Sequence, residues 1–375
     1  MKTLDFLYFD AGGGHRAAAT ALKAVIEKQQ RPWQVRLVNV QELLDPLDVF
    51  RRFTGVRLEN IYNLLLAKGW TLGSAQLLMA MHALIRLYHP GQVRLLADHW
   101  RRSRPDLAVS LVPNFNRAIF ESLQSARPQI PFVTILTDLA DYPPHFWIER
   151  QPQYLICGTE EAVRQASAIG CPQNRVFRVS GMILRPDFYE PVTVDPAVER
   201  AKLGLSANRP TGLVLFGGQG SKTMLRILER LDQSGLDLQL ILICGRNEAL
   251  AAKLKSRKTR IPVFVEGFTS QIPYYMRLSD FFIGKPGPGS ISEALQMKLP
   301  VIVERNLWTL PQERFNAEWV KKTGTGLVTP SFIQIANAVR NLLEPATFAR
   351  LRANIAGLEN RAVFEIPDIL AKLIQ

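Results

Sequence analysis

The stretch Lys285-Pro286-Gly287-Pro288-Gly289-Ser290-Ile291-Ser292-Glu293 follows a short apolar run, Phe281-Phe282-Ile283, and leads into a predicted helix at 291–297. A glycine-rich turn between a strand and a helix leaves several backbone N–H groups unpaired, and the positive end of the helix dipole lies behind them. Turns of this kind bind phosphate groups. We therefore expect a phosphate site in this stretch.

A second polar cluster follows after about twenty residues, in Pro311-Gln312-Glu313-Arg314-Phe315-Asn316. Gln312, Glu313 and Asn316 carry amide or acid groups at helical spacing, and such groups can hydrogen-bond to sugar hydroxyls. A phosphate turn followed by a cluster that reads hydroxyls predicts a nucleotide-sugar site.

Strand-like and helix-like patterns alternate along nearly the whole chain. Strands are predicted at 4–9, 34–39, 107–111, 132–136, 154–157, 176–179, 212–216, 238–243, 263–265, 280–283 and 301–304. This alternation is typical of parallel sheets that carry helices on both faces. We predict an α/β protein made of two doubly wound, Rossmann-like domains that face each other across a cleft.

The predicted domain limits follow from breaks in this rhythm. The first domain covers 1–188 and contains a helical insertion at about 45–104. A proline-containing linker covers 189–210, the second domain covers 211–345, and one or two closing helices cover 346–375. A chain of 375 residues is long enough for two domains with cores of normal size.

The charge of the chain is concentrated in one segment. The formal net charge is +13, and residues 51–104 hold nine Lys or Arg against two acids. The same segment contains aromatic residues such as Trp70 and Trp100 and an apolar helical face that runs from Leu77 to Tyr88. These features predict a segment that lies on an anionic phospholipid surface, although an ordinary buried helix with arginine caps fits equally well. Nucleic acid is not an expected partner, because no zinc spacing, RNA-binding signature or helix-turn-helix is evident.

The cysteines, the N-terminal residues and the apolar stretches indicate where in the cell the protein is expected. The three cysteines are far apart, which favours a reducing compartment over a disulfide framework. The N-terminus begins with a strand-like run and not with a secretory signal, and the longest apolar stretch, 77–85, is too short to span a bilayer. We expect a cytoplasmic protein that associates peripherally with the inner face of the membrane.

The first glycine turn, Asp10-Ala11-Gly12-Gly13-Gly14-His15, follows the first strand. It fits a dinucleotide fingerprint formally, but the next strand ends at Asn39 without the acidic residue that would bind a ribose. A histidine at a helix N-terminus is kept neutral by the helix dipole, as a general base requires. His15 is therefore a candidate base, with Gly13 and Gly14 on the acceptor side. A histidine that only contacts solvent or a loop is the alternative.

The second glycine turn contains Gly217, Gly218, Gln219 and Gly220, and it starts the second domain. Ser221 stands where a P-loop requires glycine, so ATP hydrolysis is disfavoured. The small residues permit close approach of a diphosphate, although a plain tight turn remains an alternative. Gly267 and Phe268 follow a later strand, where the aromatic ring lies beside a nucleotide base or packs in the core.

Three further segments end strands of the first domain. Asp138 follows the strand at 132–136, at the edge where α/β ligands bind, and it orients His15 or acts as a base itself. Asn114, Tyr142 and His145 lie in loops that are candidates for the acceptor side. Turn chemistry and packing explain these residue types equally well.

Together these motifs resemble those of the glycosyltransferases that include monogalactosyldiacylglycerol synthases and processive diacylglycerol glucosyltransferases. More distantly, the chain resembles the enzyme that adds N-acetylglucosamine to lipid I of the peptidoglycan pathway. The resemblance implies a GT-B fold and an inverting transfer from a UDP-sugar, with no metal and no cofactor. The motifs that carry it are Gly12-Gly13-Gly14-His15, Thr137-Asp138-Leu139, Gly217-Gly218-Gln219-Gly220, Gly267-Phe268, 285–293 and 311–316.

The resemblance also implies roles for individual residues. Glu293 would bind the ribose hydroxyls, Phe268 would flank the uracil, and Gln312, Glu313 and Asn316 would read hexose hydroxyls. His15 would deprotonate the acceptor alcohol with support from Asp138. The diphosphate would lie against the second glycine turn and against Pro288, Gly289 and Ser290.

Three departures from the family pattern leave the acceptor and the hexose open. Pro143 aligns with a histidine of the plant enzymes, and Val112-Pro113-Asn114 replaces a His-Pro pair. Arg314-Phe315 replaces a Lys-Gly pair in the donor cluster. We predict transfer of galactose or glucose from a UDP-hexose to a lipid alcohol, diacylglycerol in the first instance. The alternatives are N-acetylglucosaminyl or hexosyl transfer to a polyprenyl-linked acceptor, a UDP-sugar epimerase, and a non-catalytic lipid-binding module.

Overall fold

The computed structural model describes residues 1–10, 13–47 and 85–374, which divide into two compact units. Among these residues, unit 1 comprises 1–10, 13–47, 85–186 and 360–374, and unit 2 comprises 187–359. Each unit has a six-stranded sheet and a hydrophobic core of its own. The predicted domain limits remain predictions.

Unit 1 is built on a parallel sheet with the strand order β2-β1-β3-β4-β5-β6. Its strands are β1 Lys2–Tyr8, β2 Trp33–Asn39, β3 Leu107–Ser110, β4 Phe132–Ile135, β5 Tyr154–Cys157 and β6 Val176–Arg178. Its helices are α1 Gly14–Lys28, α2 Val40–Leu44, α3 His89–Ser103, α4 Asn116–Ala126 and α5 Glu160–Ala168, and the last helix of the chain, Ala362–Leu373 (α14), also belongs to it. The strands β3 and β4 are buried along their whole length, as strands of a sheet covered on both faces should be.

Unit 2 has a second parallel sheet, with the strand order β12-β11-β10-β7-β8-β9. Its strands are β7 Thr211–Leu215, β8 Gln239–Ile243, β9 Val263–Glu266, β10 Phe281–Gly284, β11 Val301–Glu304 and β12 Gly326–Thr329. Its helices are α6 Pro196–Lys202, α7 Thr223–Asp232, α8 Glu248–Lys255, α9 Ile272–Arg277, α10 Pro288–Gln296, α11 Pro311–Thr323, α12 Ile335–Leu343 and α13 Pro345–Ala356. The predicted α/β class with two Rossmann-like sheets is confirmed.

The linker and the end of unit 2 contain elements that the sequence reading missed. Helix α6 lies inside the predicted linker, where the side chain of Asp195 accepts a hydrogen bond from the backbone of Ala197 and Pro196 occupies the first turn. This cap and this proline are recognisable helix-start signals. Strand β12 and helix α12 were also not predicted.

The helix after the phosphate turn begins earlier than predicted. Helix α10 starts at Pro288, because Gly287 takes an extended cap conformation with φ −70° and ψ 134°, and proline suits the first helical position. Gly289 and Ser290 therefore lie in the first turn of the helix and not in the loop before it. Glu293 follows Gly289 by four positions in the helix, so the two lie on the same helix face.

Part of the basic segment can be compared with the structure. Residues 48–84, which carry most of its apolar face, lie outside the described residues. Trp100 belongs to the buried face of α3, and its Nε1 donates to Ser122 Oγ at 2.9 Å, so this tryptophan is a core residue and the interfacial interpretation is wrong for it. No helix within the described ranges is long and apolar enough to cross a membrane.

Candidate active site

His15 is the second residue of helix α1, directly after the glycine turn that follows β1. Gly13 caps the helix with a φ of +78°, a conformation that glycine adopts at little cost. The ring of His15 is partly buried, and its Nδ1 lies 2.9 Å from Oγ1 of Thr137, just beyond the end of β4. When Nδ1 donates to this hydroxyl, Nε2 keeps its lone pair, as a general base must. Gly12 lies outside the described residues.

Burial controls the protonation of this histidine. It lowers the pKa of His15 to about 4, so the imidazole is neutral near pH 7. The sequence argument reached a neutral ring through the helix dipole, whereas the structure gives loss of solvent as the cause. Its role as the base remains a prediction.

Asp138 is linked to His15 through an aromatic ring. Its Oδ2 accepts a hydrogen bond of 2.8 Å from Trp147 Nε1, and the ring centroid of Trp147 lies 5.6 Å from that of His15. Asp138 is buried and Trp147 is fully buried. Trp147 is not among the predicted site residues, although a buried tryptophan commonly needs an acceptor for its N–H.

The loop after β4 is organised around a buried carboxylate, Asp141. Its oxygens accept hydrogen bonds from the backbone N–H groups of His145 at 3.0 Å, Trp147 at 2.5 Å and Ile148 at 3.3 Å. Burial is the main influence on the pKa of Asp141 and raises it. Tyr142 donates from its hydroxyl to Glu161 at 3.1 Å. The carboxylate thus fixes the loop that carries two of the predicted acceptor-side residues, His145 and Tyr142.

The loops after β3 and β4 meet beside a cavity of about 520 Å³ in unit 1. Asn114 donates its backbone N–H to Phe146 at 2.6 Å, which joins the two loops. Burial raises the pKa of Glu149, and the nearby charges of His145, Arg117 and Arg86 oppose that rise. The polar lining is Arg86, His89, Asn114, Arg117, His145 and Glu149. Of the predicted acceptor residues, Asn114 and His145 line this cavity, whereas Gly13 and Gly14 are exposed at the start of α1.

The phosphate turn of unit 2 is held from behind by helix α11. Lys285 Nζ lies 2.8 Å from Glu313 Oε1, and Asn316 Nδ2 donates to the carbonyl of Pro286 at 2.9 Å. Asn316 is fully buried, and Glu313 is nearly so. These two members of the predicted hydroxyl-reading cluster therefore support the turn, while Gln312 at the start of α11 is partly exposed.

The open face of the turn is formed by other residues. A side chain at Gly289 would meet no atom within 4 Å, and Ser290 and Glu293 are partly exposed. Backbone N–H groups of the first helical turn and the Glu293 carboxylate thus share one accessible helix. This arrangement fits a ligand that carries both a phosphate and hydroxyl groups.

The second glycine turn has two kinds of glycine. Gly220 has a φ of +60°, and a Cβ there would lie 2.5 Å from the carbonyl of Cys244, so packing requires this glycine. Gly218 and Gln219 are exposed, and Gly218 has open space where a Cβ would lie. Gly217 has a φ of +73°, and a Cβ there would lie 4.0 Å from Cε of Lys285. The tight-turn interpretation explains Gly220, and the first part of the turn remains open to a ligand.

Phe268 is 62% exposed, so the alternative that it packs in the core is wrong. It follows β9 with Gly267, which has open space around it. Strands β9, β8, β7 and β10 are parallel neighbours in the sheet, so the loops that follow them share its carboxyl edge. Ligands of α/β sheets bind at this edge. Within the described parts of the chain, no three His, Cys, Asp or Glu side chains come together in a way that could hold a metal ion.

Several known proteins are similar to this chain in sequence. Residues 15–182 match the family model of monogalactosyldiacylglycerol synthase, and residues 213–330 match the glycosyltransferase family 28 C-terminal domain. Monogalactosyldiacylglycerol synthase 3 of Arabidopsis thaliana is 30% identical over 360 residues, which cover 90% of this chain and 74% of that protein. The chain belongs to the monogalactosyldiacylglycerol synthase family.

A second relative in the monogalactosyldiacylglycerol synthase family is longer than this chain. Monogalactosyldiacylglycerol synthase 1 of Arabidopsis thaliana is 29% identical over 370 residues, which cover 92% of this chain and 66% of that protein. The chain thus spans about two thirds of the length of this relative. It is a glycosyltransferase of the monogalactosyldiacylglycerol synthase type.

Solved structures agree with the fold of this family member. MurG of Acinetobacter baumannii superimposes with a TM-score of 0.62 at 12% identity, over 99% of this chain and 100% of that one. HepE of Anabaena, solved in complex with UDP, gives a TM-score of 0.57 at 16% identity, over 99% of both chains. At these identities the likeness concerns the fold alone, which is GT-B.

Proposed function

We propose that the chain transfers a hexose from a UDP-sugar to a lipid alcohol, with diacylglycerol as acceptor and galactose or glucose as the sugar. The observation that carries this proposal is the neutral His15, held by Thr137, in a chain of the monogalactosyldiacylglycerol synthase family. The relatives are named for a product made of galactose and diacylglycerol. A neutral imidazole with a free Nε2 is suited to deprotonate an alcohol.

Unit 2 binds the donor in this proposal. The first turn of α10 and the exposed part of the second glycine turn offer backbone N–H groups to the diphosphate. Glu293 accepts hydrogen bonds from the ribose hydroxyls, and Gln312 reaches the hexose. Lys285 and the helix dipole stabilise the negative charge that develops on the departing UDP, in a role that a metal ion serves in other enzymes.

Unit 1 supplies the base and the acceptor side. His15 Nε2 takes the proton of the acceptor hydroxyl as its oxygen bonds to the anomeric carbon, and the bond from that carbon to the UDP oxygen breaks with its electron pair. Attack opposite the leaving group inverts the anomeric centre in one displacement. Asp138 acts through Trp147, whose ring packs near the imidazole, and so keeps the base in place.

A membrane surface delivers the acceptor. The high positive charge of the chain attracts it to an anionic phospholipid surface, and a peripheral position gives access to an acceptor that stays in the bilayer. We place the working protein on the cytoplasmic face of a membrane. UDP-hexose, the lipid acceptor and the anionic surface are its proposed partners.

A second candidate acceptor is a polyprenyl-linked sugar that carries phosphate groups. The observation that favours it is the cavity of unit 1, where Arg86 and Arg117 accompany His89 and His145. Guanidinium groups bind phosphate oxygens in a planar fork, and an uncharged diacylglycerol does not need such groups. The donor chemistry is the same for both acceptors.

The experiment that tests the proposed function is turnover with three donors, UDP-galactose, UDP-glucose and UDP-N-acetylglucosamine. Purified protein is assayed with anionic vesicles that contain diacylglycerol and with the same vesicles without it. We expect UDP release that depends on diacylglycerol, together with a new glycolipid of inverted anomeric configuration, and unchanged rates after chelation of divalent metals. Isomerisation of the donor without acceptor would instead identify an epimerase, and vesicle binding without turnover would identify a lipid-binding module.

A further inference from the structure

The loop between β11 and α11 exposes two large apolar side chains that are neighbours in the chain. Leu307 is 76% exposed and Trp308 is 50% exposed. Single exposed apolar residues are ordinary, whereas a group of them commonly marks a surface that meets a partner. The loop lies between Glu304, the last residue of β11, and Pro311, the first residue of α11. The pair therefore lies at the carboxyl edge of the sheet of unit 2.

Hydrogen bonds to the backbone give this loop a fixed shape. Oδ1 of Asn306 accepts from the backbone N–H of Trp308 at 2.8 Å, and the hydroxyl of Thr309 accepts from the backbone N–H of Asn306 at 2.9 Å. Arg314 on α11 donates to the carbonyl of Thr309 at 3.1 Å and to that of Leu307 at 3.4 Å. These bonds do not involve the side chains of Leu307 and Trp308, so both can be replaced without removing them.

The loop after β12 brings a third exposed apolar side chain. Nδ2 of Asn306 donates to the carbonyl of Pro330 at 3.1 Å, and the backbone N–H of Phe332 donates to Glu304 at 2.7 Å, so the two loops are joined. Phe332 is buried in the core of unit 2, whereas Ile333 beside it is 51% exposed. The joined loops thus carry an apolar patch formed by Leu307, Trp308 and Ile333.

The chain around the apolar patch carries a positive charge. Residues 305–334 contain four Lys or Arg against two acids, Glu313 and Glu318. Glu313 is buried and pairs with Lys285, and Glu318 pairs with Arg305. An apolar surface that includes a tryptophan and is flanked by cations is typical of a protein region at a phospholipid interface.

We propose that the apolar patch docks unit 2 on a lipid bilayer, with Trp308 at the level of the headgroups and Leu307 and Ile333 against the acyl chains. The size of the patch favours a bilayer over a protein partner. Three partly exposed side chains present on the order of a few hundred Å², whereas each side of a stable protein interface buries about 800 Å². The proposal places a membrane contact in unit 2, whereas the sequence predicts one only within 51–104.

The position of the patch links membrane contact to the proposed donor site. Gln312, which reaches the hexose in the proposed function, follows Trp308 by four residues, a distance of at most about 14 Å. Docking of the patch therefore brings the hexose end of the donor site close to the bilayer surface. The inference rests on the proposed function, because a lipid acceptor with its hydroxyl at that surface is the reason for the enzyme to be there.

The test measures binding to vesicles of phosphatidylcholine and phosphatidylglycerol by co-sedimentation, without donor or acceptor. Binding is measured at low salt and at about 1 M salt, where the screening length falls to about 3 Å and attraction between charges is largely lost. At high salt we expect Leu307→Ser and Trp308→Ser each to bind about tenfold more weakly than the wild type, because each removes inserted apolar area. Trp308→Phe should recover most of the binding.

Val198→Ser is the matched control. Val198 is also an exposed apolar residue of unit 2, at 51% exposure, but it lies on α6. That helix lies at the opposite edge of the sheet, where Arg200 pairs with Asp280 at 3.0 Å directly before β10 begins. Val198→Ser should bind vesicles like the wild type. All four variants should keep the wild-type affinity for UDP, which shows that unit 2 remains folded.

Fluorescence gives a second measurement of the same contact. Brominated acyl chains quench a tryptophan that enters the bilayer. The chain has six tryptophans, so the signal of Trp308 is the difference between the wild type and Trp308→Phe. We expect brominated vesicles to quench the wild type more strongly than this variant.

Several results would overturn the proposal. These are a wild type that does not bind vesicles at high salt, unchanged binding in Leu307→Ser and Trp308→Ser, an equal loss in Val198→Ser, or equal quenching of the wild type and Trp308→Phe. Self-association of the wild type that Trp308→Ser abolishes would instead assign the patch to a second copy of the chain. Vesicle binding that depends on the patch, without turnover of any donor, would refute the proposed function and support the docking, so the two failures can be told apart.

Discussion

His15 in unit 1 and Lys285 in unit 2 are both ionisable residues beside glycine turns that follow parallel strands. Their surroundings differ, because those of His15 favour the neutral form and those of Lys285 favour the charged form. His15 meets a hydroxyl, that of Thr137, and an aromatic ring, that of Trp147, and burial lowers its pKa to about 4. Lys285 meets a carboxylate, Glu313, at 2.8 Å. One unit therefore keeps its key side chain neutral, and the other keeps its cation balanced by a buried anion.

In both units the surroundings set the charge state of the side chain: burial lowers the pKa of His15, and Glu313 pairs with Lys285. A base must be uncharged to accept a proton, and loss of solvent secures that state. A phosphate site needs positive potential that persists without a ligand, and the helix N-terminus supplies it, while the ion pair with Glu313 avoids an uncompensated charge on Lys285. The following changes test this contrast between the two units.

The largest expected effect comes from His15→Ala. Turnover should fall by about 1,000-fold, the size of a typical general-base contribution. UDP affinity should stay at the wild-type level, because the proposed donor site lies in unit 2. Initial rates and calorimetric titration with UDP measure the two quantities. Arg16→Ala, the exposed neighbour on α1, is the matched control. Equal losses of turnover and UDP affinity would contradict the proposal that unit 1 supplies the base and unit 2 binds the donor.

Glu293→Ala should have the next largest effect, and on the opposite quantity. Loss of two hydrogen bonds between a carboxylate and ribose hydroxyls should weaken UDP binding about 100-fold. Gln296→Ala, further along the same helix, controls for a change in α10. Normal UDP affinity in Glu293→Ala would mean that the donor site lies elsewhere.

Asn316→Ala tests whether the buried part of the donor cluster acts through structure. The carbonyl of Pro286 would lose its donor, so the free energy of unfolding should fall by about 1–3 kcal/mol. Chemical denaturation measures this, and Asn337→Ala, an exposed change on α12, should cost less than about 0.5 kcal/mol. A change in hexose preference at unchanged stability would instead support direct contact of Asn316 with the sugar.

The smallest effect concerns pH. Because burial lowers the pKa of His15 to about 4, its imidazole stays neutral as pH decreases from 8 towards that value. The profile of kcat/KM should show no loss from this group near about 6.5, the ordinary pKa of histidine, and should decline only as pH falls through about 4. A descending limb centred near 6.5 would contradict the buried environment.

The lowered pKa of His15 also makes the stability of the folded protein depend on pH. The pKa of His15 is lower in the folded protein than in the unfolded chain, so its neutral form favours folding above the ordinary pKa of histidine. That contribution is lost as pH falls towards about 4. His15→Asn should therefore make the melting temperature less sensitive to acid. Thermal unfolding at neutral and acidic pH measures the difference.

Much of the fold could be read from the chain, and the reasons are local. Strand β5, Tyr154–Cys157, is a continuous apolar run, and strand β11, Val301–Glu304, is apolar up to its last residue. Helix α6 was missed in spite of its cap at Asp195, because prolines around it looked like a linker. Strand β12 was missed because four residues that start with glycine give little local signal.

The candidate site also contains some residues that the sequence predicts and some contacts that it does not. The glycine turns at strand ends were predictable from the sequence, and so were the positions of His15, Asp138 and Glu293 beside them. The hydrogen bond between His15 and Thr137, the contact of the Trp147 ring with His15 and the stacking of Arg246 on Phe268 join residues far apart in the chain. No spacing rule predicts such contacts, because they depend on which loops a sheet brings side by side.

The sequence by itself determined the α/β architecture, the family and the glycine turns, since periodicity and turn chemistry are local properties of a chain. Only the tertiary structure decided which polar residues support the site and which remain open to a ligand. Asn316 and Glu313 share the helical spacing of Gln312, yet packing against the phosphate turn buries the first two and leaves the third partly exposed. Burial, and with it the charge state of His15, depends on the neighbours that folding supplies.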